Sequence, residues 1–231
     1  MSTRSSTAIS VGASRSSACA SELKANLTVT ELIAGPAGAL EVAHQPAPAH
    51  VAPRGIALVA HPHPQMGGTM DNKVAVTLAK TFHQLGYAAM RFNFRGAGRS
   101  EGVFDEGLGE TDDAQAALDY AARLYPGGHL VLAGFSFGTF VQTRLWQRIR
   151  DARAVERLVL TGPAVNRFHL DPVPEDTIVV HGEEDDVVPL ADVMNWARPQ
   201  HLPIVVFPGC GHFFHGRLTQ LQRVLTGMWR P

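Results

Sequence analysis

From Ile56 onward, short apolar runs of four or five residues alternate with longer stretches in which apolar positions recur every three or four residues. The runs Ile56–Ala60, Ala88–Phe92, Leu130–Ala133, Leu158–Thr161, Thr177–Val180 and Pro203–Phe207 read as strands. The periodic stretches between and after them predict helices over Asn72–Leu85, Thr111–Leu124, Thr139–Arg150, Leu190–Ala197 and Arg217–Trp229. Upstream, Leu27–Ile33 and Leu40–His44 flank the turn sequence Gly35-Pro36-Ala37-Gly38, which predicts an antiparallel pair at a sheet edge. Strands without polar alternation, spaced by amphipathic helices, bury both faces. The chain is therefore expected to be of the α/β class, with a mostly parallel sheet covered by helices on both sides. In such sheets ligands bind where the strands end at their carboxyl edge, so the residues at those ends carry the chemical reading.

Three strand ends stand out. Gly134-Phe135-Ser136-Phe137-Gly138 follows an apolar run and opens a helical pattern, the context of a G-x-S-x-G nucleophile elbow. The serine of such a turn sits in a tight strand-to-helix bend, which is why its neighbours are glycines. The run at Thr177 breaks at His181-Gly182-Glu183-Glu184-Asp185-Asp186, and the run at Pro203 breaks at Pro208-Gly209-Cys210-Gly211-His212. The order Ser136, acid, His212 is that of a Ser-acid-His triad on a doubly wound sheet. Spacing leaves alternatives open: Asp171 or Asp186 for the acid, and His215 for the base.

Four blocks make the pattern more specific. His61-Pro62-His63-Pro64-Gln65-Met66-Gly67-Gly68-Thr69-Met70-Asp71-Asn72-Lys73, Arg91-Phe92-Asn93-Phe94-Arg95-Gly96-Ala97-Gly98-Arg99-Ser100-Glu101-Gly102, the elbow, and His212-Phe213-Phe214-His215-Gly216 together resemble the small, lid-poor α/β-superfamily serine hydrolases and carboxylesterases of bacteria. The resemblance runs from about Leu27 to the C-terminus. It implies an α/β-hydrolase fold over residues 27–231, a Ser136–Asp185–His212 triad, with Asp185 chosen by the His-Gly-x-x-Asp pattern, and cleavage of a small-molecule ester through an acyl-enzyme. It also implies an oxyanion hole made by the backbone N–H of Phe137 and by one N–H from the loop after Ile56–Ala60. In His61-Pro62-His63-Pro64 the prolines have no N–H to give, which points to His63. Amide or peptide cleavage on the same scaffold, or a non-catalytic binding role, are the competing expectations.

Other features narrow the picture. Some fifteen residues between Thr161 and Thr177, including Pro163, Pro172 and Pro174, are too few for a helical lid, so an open site is expected. A formal charge of -1 suggests no nucleic-acid or anionic-membrane partner. No apolar stretch reaches the length of a membrane span. Cys19 and Cys210 read as two free thiols, which together with the lack of a secretory signal leads to an expected cytoplasmic location. Residues 1–26, rich in Ser and Ala, read as a disordered extension. No cofactor is expected. His61 and His63 have a metal-ligand spacing, but Pro64-Gln65-Met66 supplies no further ligand. Arg95-Gly96-Ala97-Gly98 lacks the third glycine of a dinucleotide fingerprint and the Lys-Ser/Thr of a P-loop, and reads as a turn anchored by Arg95 on Asp112 or Asp113. Asn72 and Lys73 are expected near the pocket mouth, with Asn72 a candidate substrate contact.

Overall fold

A computed structural model describes residues 27–229; the stretch 1–26, with Cys19 and the expected disordered extension, lies outside the described residues. The strands are β1 (Val29–Gly35), β2 (Gly38–Gln45), β3 (Gly55–Ala60), β4 (Tyr87–Phe92), β5 (His129–Phe135), β6 (Arg157–Thr161), β7 (Ile178–Gly182) and β8 (Ile204–Phe207). They form one sheet in the order β1-β2-β4-β3-β5-β6-β7-β8. The β1–β2 hairpin pairs Val29 with His44 and Gly35 with Gly38, and β2 meets β4 antiparallel. Every other pairing is parallel.

The helices are α1 (Lys73–Gln84), α2 (Leu108–Leu124), α3 (Phe137–Ile149), α4 (Leu190–Ala197) and α5 (Leu218–Met228). All six residues of β3 are buried, because the two faces of the strand meet different helix layers. Ile56, Leu58 and Ala60 join Ala114, Leu118, Val141 and Leu145 of α2 and α3. Ala57 and Val59 join Val74, Leu78 and Phe82 of α1 and Leu221 and Leu225 of α5. Burying a side chain of that size on each face contributes about 1.5–3 kcal/mol, so the two layers hold the sheet from both sides.

Two helices start earlier than periodicity predicts. Helix α2 begins at Leu108 and not Thr111, because Gly107 takes a left-handed φ of 93° and the buried Glu110 carboxylate accepts the amides of Asp105 and Gly107. Apolar spacing carries no trace of such a cap. Helix α3 begins at Phe137, directly after Ser136, so the elbow turn and the helix N-terminus are one feature. The segment 162–177 between β6 and β7 holds turns and bends but no helix, leaving the carboxyl edge of the sheet uncapped there.

Candidate active site

Ser136 has φ 54° and ψ −121°, a backbone state that costs an L-residue on the order of 1–3 kcal/mol. The surroundings enforce it. The Ser136 amide donates to Thr161 O (3.0 Å), and the Thr139 amide and Oγ1 both donate to Ser136 O (2.9 and 2.6 Å). The flanking glycines are required by close approach: a Cβ on Gly134 would lie 2.4 Å from Gly138 O, and one on Gly138 would lie 2.4 Å from Ala60 O. The consequence is a serine lifted off the end of β5 with its hydroxyl in a cleft.

Asp185 and His212 arrive from the next strands. The amides of Val187 and Val188 donate to Asp185 Oδ1 at 3.0 and 2.7 Å, which leaves Oδ2 for His212 Nδ1 at 2.7 Å. Burial alone would raise the Asp185 pKa, but the His212 hydrogen bond, the Val188 amide and the charges of His212 and His181 outweigh it and hold the carboxyl below its ordinary value. An ionised acceptor at Nδ1 fixes the proton there, so Nε2 is left to accept from Ser136 Oγ at 3.0 Å. Phe135 packs on the imidazole with ring centroids 4.9 Å apart. The sequence-predicted Ser136, Asp185 and His212 are thus brought into one hydrogen-bonded chain.

The rival residues are elsewhere. His215 is exposed and lies against Phe213, ring centroids 5.8 Å apart and tilted by 37°. Asp171 pairs with His169 at 3.7 Å and borders a surface depression with Pro172 and Pro174, away from Ser136. Asp186 is exposed at the rim of the cleft. A residue that sequence reasoning passed over lies beneath the acid. His181 is fully buried, donates from Nε2 to Val188 O (2.8 Å) and sits 3.5 Å from Asp185 Oδ2. Burial lowers its pKa and keeps it neutral. It braces the Asp185–Val188 turn, and nothing in a single His at a strand end distinguishes that role from any other.

The cleft around Ser136 has a volume of about 340 Å³, at the small end for ligand sites. Met66, Phe137, Phe168, Val187 and Phe213 give it apolar walls. Met66 and Phe213 are 73% and 44% exposed, so the walls open to solvent. Arg167 and Asn166 also line the cleft, and no sequence signal had marked them. Asn72 lines it too, but its Oδ1 accepts the Val74 and Ala75 amides and caps α1; Lys73 is exposed outside it. Among the described residues neither the Phe137 nor the His63 amide donates to a protein acceptor. The His63 imidazole accepts the Gln65 amide at Nδ1 (3.2 Å) and packs among Phe104, Phe137 and Phe168. Burial and the nearby Arg167 charge lower its pKa. His61 faces the other way, with both ring nitrogens engaged by the backbone of Pro62 and Phe94, so neither is free to bind a metal. Arg95 makes its anchor with Asp113, donating from Nε and Nη2 at 3.1 and 2.9 Å, while Asp112 pairs with Arg148.

Known proteins share the family and the fold. The hydrolase family model described as "Serine aminopeptidase, S33" matches residues 52–175. An uncharacterized protein of Rickettsia prowazekii is 33% identical over 83% of this chain and 84% of its own length. The structure of an alpha-beta serine hydrolase homologue from Coxiella burnetii superposes with a TM-score of 0.79 at 36% identity, covering 87% of this chain and 97% of that one. A Xanthomonas campestris protein, described as a member of the a/b serine hydrolases without lid, gives 0.81 at 33% identity, over 87% and 93% of the two chains. The chain belongs to this family of serine hydrolases and has the α/β-hydrolase fold in its lid-less form.

Proposed function

We propose that the chain is a carboxylesterase for short to medium acyl esters, working through an acyl-enzyme on Ser136. The observation that supports this reading is the hydrogen-bonded chain Ser136–His212–Asp185 opening into a small, apolar, uncapped cleft. Serine is a weak nucleophile at its own pKa. In the proposed reaction His212 Nε2 takes the Ser136 proton as Oγ adds to the ester carbonyl, and the Asp185 carboxylate stabilises the imidazolium. Charge that develops on the carbonyl oxygen is met by the Phe137 and His63 amides, whose donors are uncommitted. Collapse of the adduct returns the proton from His212 to the leaving alkoxide, and a water repeats the cycle on the acyl-enzyme. Asn72, at the cleft mouth, has its amide nitrogen left for a substrate contact once Oδ1 has capped α1.

Amide cleavage is the second reading, favoured by the family description and by the Asp186 carboxylate at the rim, which could meet a free amine. Parallel assays separate them: p-nitrophenyl esters of graded acyl length against aminoacyl p-nitroanilides. Each buried CH2 contributes about 0.8 kcal/mol, close to fourfold in kcat/KM, but a cleft this small and open offers wall for only a few. Activity is expected to peak at roughly two to six acyl carbons by that reckoning, with no jump at the substrate's solubility limit. Faster turnover of the anilides would overturn the ester reading, and a steady rise through long acyl chains would overturn the open-cleft argument.

A further inference from the structure

His61 is fully buried at the end of β3, and the proposed chemistry leaves it idle. Its contacts are specific. Nδ1–H donates to Pro62 O at 2.6 Å, and Nε2 accepts the Phe94 amide at 3.0 Å. The two roles require a single neutral tautomer, and burial pushes the pKa down to about 3, which keeps that tautomer throughout the working range. The carbonyl that His61 holds is chemically significant, since Pro62 C=O and His63 N–H are the two ends of one trans peptide unit. A trans peptide turns its oxygen and its hydrogen to opposite sides. Drawing the oxygen toward His61 therefore drives the His63 hydrogen away from His61.

The neighbouring peptide is pinned as well. His63 O, in the His63–Pro64 unit that follows, accepts the amides of Met66 (3.1 Å) and Gly68 (3.0 Å). Gly68 packs so closely on the Pro62–His63 unit that a Cβ there would lie 2.2 Å from Pro62 O and 2.6 Å from Pro62 C. The ring of His61 is itself fixed by the Phe94 amide and by the Phe94 ring, centroids 4.4 Å apart, so it cannot follow a rotating carbonyl. A peptide flip at this point would cost the His61 hydrogen bond and would drive the oxygen into the place where the proposed oxyanion forms.

We propose that His61 is a positioning residue that locks the Pro62–His63 peptide with its N–H toward the Ser136 cleft, so that the oxyanion site is formed before substrate arrives. This rests on the reading of the His63 and Phe137 amides as the oxyanion donors. It accounts for a histidine ahead of the prolines that does not line the cleft, and for a glycine at position 68 of the same motif packed on the Pro62 carbonyl.

The test is a pair of variants in the full chain. His61→Phe keeps a flat buried ring and removes both nitrogens, whereas His61→Asn restores an N–H within reach of Pro62 O. Losing one oxyanion donor costs about 10²–10³ in kcat. His61→Phe is expected to lose kcat on that scale with KM within about threefold of the parent. Its affinity for a trifluoromethyl ketone, which forms a tetrahedral adduct, should fall by the same factor, and the pH profile should stay in place because His212 is untouched. His61→Asn should recover about tenfold or more, by the restored donor. If His61→Phe does not fold, Gly68→Ala crowds the Pro62 carbonyl directly and is expected to show the same split. A folded variant of either kind that keeps kcat and ketone affinity within about twofold would overturn the proposal. So would a loss confined to KM or a displaced pH profile. Fluorophosphonate labelling of the parent, absent in Ser136→Ala, separates the two levels of argument: an unlabelled parent overturns the site reading and this inference together, while a labelled parent with unaffected His61 variants overturns this inference alone.

Discussion

The two edges of the sheet both carry polar groups in apolar surroundings, and they treat them differently. At the amino edge, Tyr87 at the start of β4 is buried, donates to Glu156, and accepts the Trp229 indole N–H at 3.1 Å. Arg54 closes the group, donating to Glu156 Oε1 at 3.0 Å while its guanidinium lies over the Tyr87 ring. Burial, then the Glu156 hydrogen bond, pushes the Tyr87 hydroxyl up to about 12, so it stays neutral. The Tyr87 hydroxyl, the Trp229 indole N–H and Arg54 Nη2 each meet an acceptor there. At the carboxyl edge the chain of hydrogen bonds runs Asp185, His212, Ser136 and ends on a strained residue beside a cleft and two amides without protein acceptors. The contrast teaches that a satisfied buried network gives stability, whereas a network with one end open to a cavity has capacity left for a substrate.

That comparison can be broken from either side. The largest effect is expected at the open end: Ser136→Ala should lower kcat by about 10⁴–10⁶ and abolish fluorophosphonate labelling. Its melting temperature should not fall, since the substitution removes only a hydroxyl. Retained labelling would show that the nucleophile is elsewhere. Next comes Asp185→Asn, which should cost about 10⁴ in kcat by misplacing the His212 proton. Asp186→Asn, at an exposed position, and Asp171→Asn, at a half-buried one, should stay within about tenfold of the parent on the same scale, and an essential Asp171 would move the acid to the loop after β6.

Acid should act on the carboxyl edge through its buried neutral histidines. An unfolded histidine takes up a proton below about pH 6.5, whereas His61 resists down to about 3 and His181 is also shifted down. The unfolded state then binds more protons, so stability should fall as pH drops from about 6.5, by about 1.4 kcal/mol per pH unit for His61, with a contribution of the same sign from His181. Urea midpoints at pH 7, 6 and 5 give the slope, and His61→Asn should flatten it. A parent midpoint that is level across that range would mean these histidines are protonated in the folded protein. The smallest effect belongs to the closed end. Tyr87→Phe leaves Glu156 and the Trp229 indole short of a partner, a loss of about 1–3 kcal/mol. It should appear as a lower melting temperature with kcat unchanged; a fall in kcat would mean that the two edges are coupled.

The chain's own pattern determined more than the element list. Short, fully apolar runs such as Ile56–Ala60, too short for a helix, read as strands buried on both faces, and the glycines of Gly134-Phe135-Ser136-Phe137-Gly138 mark a turn in which backbones nearly touch. Because chemistry gathers at strand ends, those two local facts placed Ser136, Asp185 and His212 in order along the chain. The tertiary structure alone decided which neighbours they would have. Strand β4 inserts between β2 and β3, so that Asn93 beyond its end accepts the Met70 amide at 2.7 Å and Arg91 donates to Met70 O and to Asp71 (2.8 Å), tying down the loop that carries His63. Arg167 and Phe168 reach the cleft from a segment with no periodicity, and His181 reaches the acid from beneath it. Periodicity and turn chemistry are written in neighbours along the chain, within about four positions. A hydrogen bond between His61 and Phe94 joins residues 33 apart in sequence, and only the folded sheet brings them to one place.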